Sequence, residues 1–282
     1  MLKISSTSSA RLSAAFLAVC LMAANALAQT SPASPAAKPN PNDELLARAT
    51  KLYYSTTKAG LSTFSCEVHP NWQVLFVSGN KGSTVDPNDP RILLLKSVKI
   101  VLNGKLKGGS TLDWKPAANP EKPLDADSTA MLESMHSATE QTLQGFMQFW
   151  TPFMDGSVIP ADSEGLEMTK TATDHKIHAD TNGTSLTEVL DNSLILKEFD
   201  VTTNGMVVNF SPSYKSTDKG LLVNAFHAHI QPPGVQPDQA QEMNVSIEYQ
   251  TIKGFPIPGI LKMDVINSGT FNFQLDGCTV NE

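Results

Sequence analysis

The sequence predicts an α+β fold in which a large curved antiparallel sheet, a half-barrel of about 11–12 strands, carries one or two long helices on its concave face. Two segments with apolar residues at steps of three and four predict the helices. From Gly165 to the C-terminus, apolar and polar residues alternate, and turn pairs such as Asn182-Gly183 and Asn204-Gly205 separate the segments. Strands joined by links this short lie antiparallel to their neighbours in sequence.

The first 28 residues have the pattern of a secretory signal peptide. Lys3 and Arg11 precede an apolar run, and Ala26-Leu27-Ala28 is a cleavage site of the small-x-small type. We therefore expect cleavage after Ala28 and a mature protein that is periplasmic or secreted. The alternative is that Cys20 is acylated, as in bacterial lipoproteins, instead of the chain being cut after Ala28.

The segment after the signal peptide is a predicted linker, and the rest is a predicted single domain. Gln29–Asn42 is rich in Pro, Ala and Ser and has little to bury, so we expect it to be disordered. Residues 43–282 then form one half-barrel domain with a helical insertion at about 125–154. Signal removal leaves Cys66 and Cys278, and an even pair in an exported chain predicts a disulfide. A zinc site is the weaker interpretation, because structural zinc motifs use closely spaced cysteines.

The helices are predicted from apolar spacing and from residues that start or stop a helix. The first follows a cap at residue 42 or 43, extends to about residue 58, and ends before Gly60. The longest one extends over about 127–150, where Pro152 should end or bend it. Asp89-Pro90 predicts a further short helix that continues to Leu95.

The strands are predicted from alternation and from the turns between them. Three precede the long helix, at about 61–68, 97–106 and 111–114, and a segment near residues 71–77 is either a strand or a short helix. The nine that follow it are predicted at about 166–173, 175–180, 184–190, 193–201, 206–211, 220–230, 242–251, 259–266 and 270–278.

Three stretches near the C-terminus resemble a known family. Tyr249–Pro258 contains a Tyr followed by Gly254-Phe-Pro256, Leu261–Val265 forms the next strand, and Gly269–Leu275 contains a Phe-x-Phe pair. With the order of elements, they resemble the periplasmic lipoprotein-carrier superfamily, which includes the outer-membrane lipoprotein carrier, its receptor and a sigma-factor-regulating sensor. The resemblance implies an unclosed half-barrel with a helical lid over a hydrophobic cavity.

The apolar faces and this resemblance together predict the ligand. We expect an exported, non-enzymatic envelope protein that binds lipid, an acyl chain or a lipopeptide, contacts membranes only transiently and is a monomer. The alternative is a structural or sensor module that binds another envelope protein through the same sheet, with the long helix as ordinary core. The residues expected to line the cavity are Phe146, Trp150, Phe153, Met243, Val245, Ile247, Tyr249, Leu261 and Met263.

Other partners and chemistries have little support in the sequence. The chain has 28 Asp and Glu against 21 Lys and Arg, and Arg48 and Arg91 are the arginines beyond the signal peptide, so we expect no nucleic-acid partner. Motifs of nucleophilic hydrolases are missing, and we expect no catalytic residue and no cofactor. His227 and His229 share one face of a strand and could chelate zinc or copper, which makes a metal-dependent hydrolase the third hypothesis. We expect instead that they are solvated on the outer face and that no metal is bound.

Overall fold

The computed structural model describes residues 40–77, 86–115, 125–266 and 269–282. The predicted signal peptide, Cys20 and most of the predicted linker lie outside these residues. The described part is an α+β protein with twelve antiparallel strands in one open sheet and a 30-residue helix packed on it, which confirms the predicted fold class. No helix in the described part is long and apolar enough to cross a membrane.

The described helices are α1 (Pro41–Thr50), α2 (Trp72–Val77), α3 (Pro90–Lys96) and α4 (Ala126–Asp155), with a 3₁₀ turn at Pro237–Gln239. The strands are β1 (Thr63–Pro70), β2 (Lys99–Lys105), β3 (Gly109–Lys115), β4 (Glu167–Lys170), β5 (Asp174–Thr181), β6 (Thr184–Asp191), β7 (Leu196–Thr203), β8 (Met206–Thr217), β9 (Gly220–Gln231), β10 (Gln241–Ile252), β11 (Phe255–Val265) and β12 (Gly269–Asn281).

The order of strands in the sheet is β3-β2-β1-β12-β11-β10-β9-β8-β7-β6-β5-β4. From β4 to β12, each strand lies beside its neighbours in sequence, as the short links predict. The nine strands predicted after the long helix are therefore all present. The first and last strands, β1 and β12, lie side by side.

The end of β8 differs from the prediction, which places it at residue 211. The strand continues to Thr217 although Pro212 lies within it. Pro212 is tolerated because β7 pairs with β8 only over Met206–Phe210, so beyond Phe210 only β9 pairs with β8. A missing backbone N–H breaks no ladder bond on an unpaired edge.

Helix α1 begins two residues earlier and ends eight residues earlier than predicted. Its N-cap is Asn40, whose side chain accepts a hydrogen bond from the N–H of Asn42, so residues 41 and 42 of the predicted linker are helical. The helix ends at Thr50 because the chain then pairs with Leu221 of β9. Leu221 N–H donates to the carbonyl oxygen of Leu52 (2.7 Å), and Tyr54 N–H donates to that of Leu221 (2.9 Å).

Helix α4 continues through Pro152 to Asp155, so Pro152 does not end it. Its last carbonyl oxygens have partners from another segment. Both the N–H and the hydroxyl of Thr56 donate to the carbonyl oxygen of Met154 (2.7 and 2.9 Å), and the Ser55 hydroxyl donates to that of Asp155 (3.1 Å). These bonds satisfy carbonyl groups that a helix C-terminus leaves without partners.

The chain divides into two compact units. Unit 1 contains Gly60–Met147 and Val245–Glu282, and unit 2 contains residues 40–59 and Gln148–Asn244. The fully buried side chains of unit 1 include Phe64, Ile92, Leu95, Ile100, Leu102, Leu143, Phe146, Leu261 and Phe273. Those of unit 2 include Leu46, Trp150, Met154, Leu190, Leu196 and Val201.

A disulfide joins Cys66 on β1 to Cys278 on β12, as predicted. The pairing of these strands shifts by one residue between Ser65 and Glu67, so β12 carries a bulge opposite Cys66. Gly277 lies in this bulge with a positive φ of 55°. A bulge changes which face the following residues occupy. The disulfide indicates an oxidising, extracytoplasmic compartment.

We predict that Cys66 and Cys278 are both protected from thiol labelling in denatured, unreduced protein. Peptide mapping by mass spectrometry should find neither residue labelled before reduction and both labelled afterwards. In the chain-entropy model a bridge across 212 residues restricts the unfolded chain by about 5 kcal/mol, so Cys66→Ala/Cys278→Ala should unfold at a markedly lower urea concentration. Labelling of either residue before reduction would contradict the bridge.

Candidate functional site

The residues predicted to line a cavity are divided between the two units and are nearly all buried. Tyr249 is half-buried and the other eight are buried. In unit 1, Leu261 and Met263 of β11 lie opposite Phe273 and Phe271 of β12. The members in unit 1 are Phe146, Val245, Ile247, Tyr249, Leu261 and Met263, and those in unit 2 are Trp150, Phe153 and Met243.

Unit 2 contains a group of aromatic side chains that only partly overlaps the predicted set. In its centre, the ring centroid of Phe149 on α4 lies 3.9 Å from that of Phe226 on β9 and 4.8 Å from that of Phe210 on β8. We call this group the aromatic cluster; it consists of Phe149, Phe153, Phe199, Phe210, Tyr214 and Phe226. It lines the face of β7–β9 against which the last turns of α4 pack.

Glu188 on β6 is a carboxyl group inside this apolar interior. Its neighbours on the adjacent strands are Ile177 of β5 and Phe199 of β7. The residue is 0% exposed, and neither carboxyl oxygen has a hydrogen-bond partner within the described residues. Burying a carboxyl group without partners is costly, so such a residue is unusual at a purely structural position.

Two tyrosines lie beside Glu188. The ring centroids of Tyr53 and Tyr214 are 5.5 Å apart in an edge-to-face arrangement. The Tyr53 hydroxyl accepts a hydrogen bond from the Leu196 N–H (2.7 Å). The Tyr214 hydroxyl is buried next to Tyr53 and has no hydrogen-bond partner of good geometry in the described part of the chain. Burial raises the pKa of both hydroxyls, and the nearby Glu188 carboxyl raises them further.

The aromatic contacts form a chain that starts beside Glu188 and ends at the two tyrosines. Phe199, next to Glu188 in the sheet, lies 6.1 Å from Phe210 by ring centroids. From Phe210 the contacts continue through Phe149 and Phe153 on α4 to Tyr214, with centroid distances of 4.8, 5.2 and 6.2 Å. Tyr214 in turn contacts Tyr53. The carboxyl therefore belongs to the same interior as the aromatic cluster.

The apolar surroundings determine the protonation state of this carboxyl. Burial raises the pKa of Glu188 to about 8, because a carboxylate loses its hydration inside the protein. At neutral pH, Glu188 is mainly a neutral acid that can donate one hydrogen bond and accept others.

The two histidines considered as metal ligands share a single carboxylate partner. Glu242 lies 2.7 Å from His227 Nε2 and 2.6 Å from His229 Nδ1, and His227 Nδ1 lies 3.0 Å from the Asn244 Oδ1 atom. The His227 side chain is 46% exposed and that of His229 is 29% exposed. No group of three or more metal-ligating side chains arranged to hold an ion occurs among the described residues. The geometry is that of a hydrogen-bonded surface cluster.

The sequence reasoning missed Glu188, Tyr53 and Tyr214, although one signal was available. Leu186, Glu188 and Leu190 share one face of β6, and both leucines are buried. A carboxyl group at the middle position of an apolar face indicates either an edge of the core or a functional site. The tyrosines give no comparable signal, because they come from distant segments that only the fold brings together.

Comparison of the chain with models of protein families, with curated proteins and with solved structures finds no match.

We predict that Glu188→Gln removes a pH-dependent loss of stability. A raised carboxyl pKa favours the fold at low pH, so this contribution is complete below about pH 4.5 and is lost progressively until about pH 8. The variant should match the wild type near pH 4.5 and be more stable by about 5 kcal/mol well above pH 8, since each tenfold change in proton affinity is worth about 1.4 kcal/mol. Urea unfolding across this pH range measures the difference.

Glu248→Gln is the matched control, because Glu248 is exposed on β10. Its stability relative to the wild type should hardly vary with pH. Equal pH profiles for the wild type and Glu188→Gln would show that the carboxyl is not buried as described.

Proposed function

We propose that this chain is an exported envelope protein that binds the apolar chain of a lipid or acylated ligand without catalysing a reaction. The observation that carries the proposal is the aromatic cluster in unit 2, where rings from α4 lie against rings from β8 and β9. Sites for small apolar ligands are lined by aromatic and aliphatic side chains with few polar groups. The resemblance to the lipoprotein-carrier superfamily, whose helical lid covers a hydrophobic cavity, supports the same proposal.

The energetics of burial favour an acyl chain over a sugar or a phosphate. Each buried methylene contributes roughly 0.8 kcal/mol, so eight of them contribute about 6 kcal/mol before the cost of association. A sugar or phosphate would need several hydrogen-bond donors or cations, and the cluster is made of phenyl rings with one phenol. An acyl chain would lie between α4 and the strands, in contact with the rings of Phe149, Phe210 and Phe226.

The compartment agrees with an envelope role. The Cys66–Cys278 disulfide indicates an oxidising location, and the pattern of the first 28 residues favours export to the periplasm or the medium. Lipids and acylated proteins that cross this aqueous space need a carrier with an apolar interior.

The alternative, a module that binds another envelope protein, has one observation in its favour. The sheet is open, and an open edge can pair with a strand from a partner. However, both edge strands carry exposed charges: Glu167 and Lys170 on the four-residue β4, and Asp113 and Lys115 on the seven-residue β3. Charged side chains on edge strands discourage pairing, so the acyl-binding proposal is preferred.

We predict that delipidated protein binds a neutral apolar probe saturably. Titration with N-phenyl-1-naphthylamine should give enhanced fluorescence that dodecanol displaces. Phe149→Gln should weaken dodecanol binding by about tenfold or more, because it removes a buried ring that contacts Phe210 and Phe226. Circular dichroism should stay unchanged.

The control is Gln144→Ala, a half-buried polar position one and a half turns earlier on α4 that is not part of the aromatic cluster. It should bind dodecanol like the wild type. Absence of saturable binding to delipidated protein for alcohols of eight to eighteen carbons would overturn the proposal and leave the protein-binding module as the better hypothesis.

A further inference from the structure

We propose that the ligand is an amphiphilic organic cation, and that Glu188 binds the ammonium group at the end of its apolar chain. This inference rests on the proposed function, because the aromatic cluster that would hold the chain is continuous with Glu188. It adds the chemical class of the head group and the residue that selects it.

The first observation is a buried carboxyl that the protein itself does not pair. Glu188 is 0% exposed and both of its oxygens are without hydrogen-bond partners in the described part of the chain. Native proteins pair nearly all of their buried polar side chains, and the exceptions call for an explanation. A ligand group that fills this position would supply the missing partner.

The second observation is the charge around Glu188. His175 lies on the same face of β5, and Tyr53 and Tyr214 are close enough for Glu188 to raise the pKa of their hydroxyls; none of these groups forms a hydrogen bond with the Glu188 carboxyl. Lys197 on the adjacent strand β7 instead pairs with Asp174, at 2.8 Å. Within the described residues no Lys, Arg or His side chain pairs with Glu188, so its carboxyl has no compensating cation and favours a cationic head group over a carboxylate or a phosphate.

The third observation is the aromatic surroundings of the carboxyl. Phe199 lies next to Glu188 in the sheet, and Tyr53 and Tyr214 are close enough for its carboxyl to raise the pKa of their hydroxyls. Aromatic faces attract ammonium groups, and such rings combined with a carboxylate are a recurrent way to bind quaternary ammonium ions. The Tyr214 hydroxyl oxygen is a further acceptor for a primary ammonium group.

The proton balance of binding follows from the buried state of Glu188. Without ligand at pH 7 the carboxyl is mainly protonated, since burial raises its pKa to about 8. When the cation enters, the proton leaves to solvent and the carboxylate forms an ion pair with the ammonium group. Binding therefore releases close to one proton per ligand at pH 7 and none well above pH 8. No covalent bond forms or breaks except the O–H bond of the acid.

Isothermal titration calorimetry on the delipidated mature protein tests this, with dodecyltrimethylammonium and dodecanol below their aggregation concentrations. The quaternary cation carries no proton of its own, so any released proton comes from the protein. At pH 7, the heats of cation binding in phosphate and in Tris should differ by the amount expected when the buffer takes up close to one proton per ligand. The heats of dodecanol binding should be the same in both buffers. The affinity for the cation should rise about tenfold between pH 6 and pH 7 and become constant above pH 8.

Two variants test whether the proton released on cation binding comes from Glu188. Glu188→Gln should abolish proton release and the pH dependence and weaken cation binding at pH 8.5 by tenfold or more. Glu248→Gln, at an exposed position on β10, should behave as the wild type in all of these measurements. The wild-type proton release is a test that does not depend on the folding of any variant.

The outcomes separate this inference from the proposed function. If dodecanol binds but the cation binds no more tightly than dodecanoate at pH 8.5, or binds without proton release at pH 7, the cation site is wrong and acyl-chain binding stands. If neither dodecanol nor the cation binds, the proposed function itself is wrong. Retention of proton release in Glu188→Gln would assign the proton to another group and overturn the role of Glu188.

Discussion

The alternation of side chains along a strand is the constraint on which the other features of this protein depend. A strand places every second side chain on the same face, so a shift of one residue would move its whole apolar set to the other face. On β6 this constraint fixes Glu188 between Leu186 and Leu190, both buried. The carboxyl cannot reach solvent by a change of register without exposing both leucines, and the sheet therefore holds it in the interior.

The same constraint explains why the disulfide needs a bulge. On β12, Phe273 and Leu275 are buried, and continued alternation would put residue 277 rather than Cys278 on their face. The extra residue at Gly277 changes the alternation, so that Val280 is buried and Cys278 lies beside Cys66. Gly277 has the positive φ that glycine adopts without strain. Gly277 therefore permits the bulge that places Cys278 beside Cys66.

The sequence was sufficient for the parts of this protein that depend on local patterns. Alternation and turn pairs located all nine strands after the long helix, and cysteine parity gave the pairing of Cys66 with Cys278. The errors lie where another segment decides the outcome. Pairing with Leu221 ends α1 at Thr50, and hydrogen bonds from residues 55 and 56 hold the last turn of α4 beyond Pro152. Neither contact can be predicted from the sequence of the helix itself, because its partner residues lie outside the helix.

The candidate site was predictable only in part for the same reason. Phe153 belongs to both the predicted cavity and the aromatic cluster. Helical spacing identifies the apolar face of a helix but not the strands against which that face packs. The association of Tyr53 with Tyr214 joins residues 161 positions apart in the sequence. That association depends on the parallel bridge between Tyr53 and Leu221, which brings the segment after α1 to the sheet. The sequence shows that Glu188 interrupts an apolar face of β6. Only the structure shows which side chains surround it.

The aromatic cluster and the buried carboxyl would control different properties of a bound amphiphile. Affinity grows with each methylene that the rings cover, at roughly 0.8 kcal/mol. A buried ion pair contributes little net affinity, because desolvation of both charges offsets most of their attraction. Its effect is discrimination, since an anion at the same position would meet the Glu188 carboxyl, with which no Lys, Arg or His of the described residues pairs. Chain length and head-group charge therefore act through separate residues, so that affinity and charge selectivity can change independently in this fold.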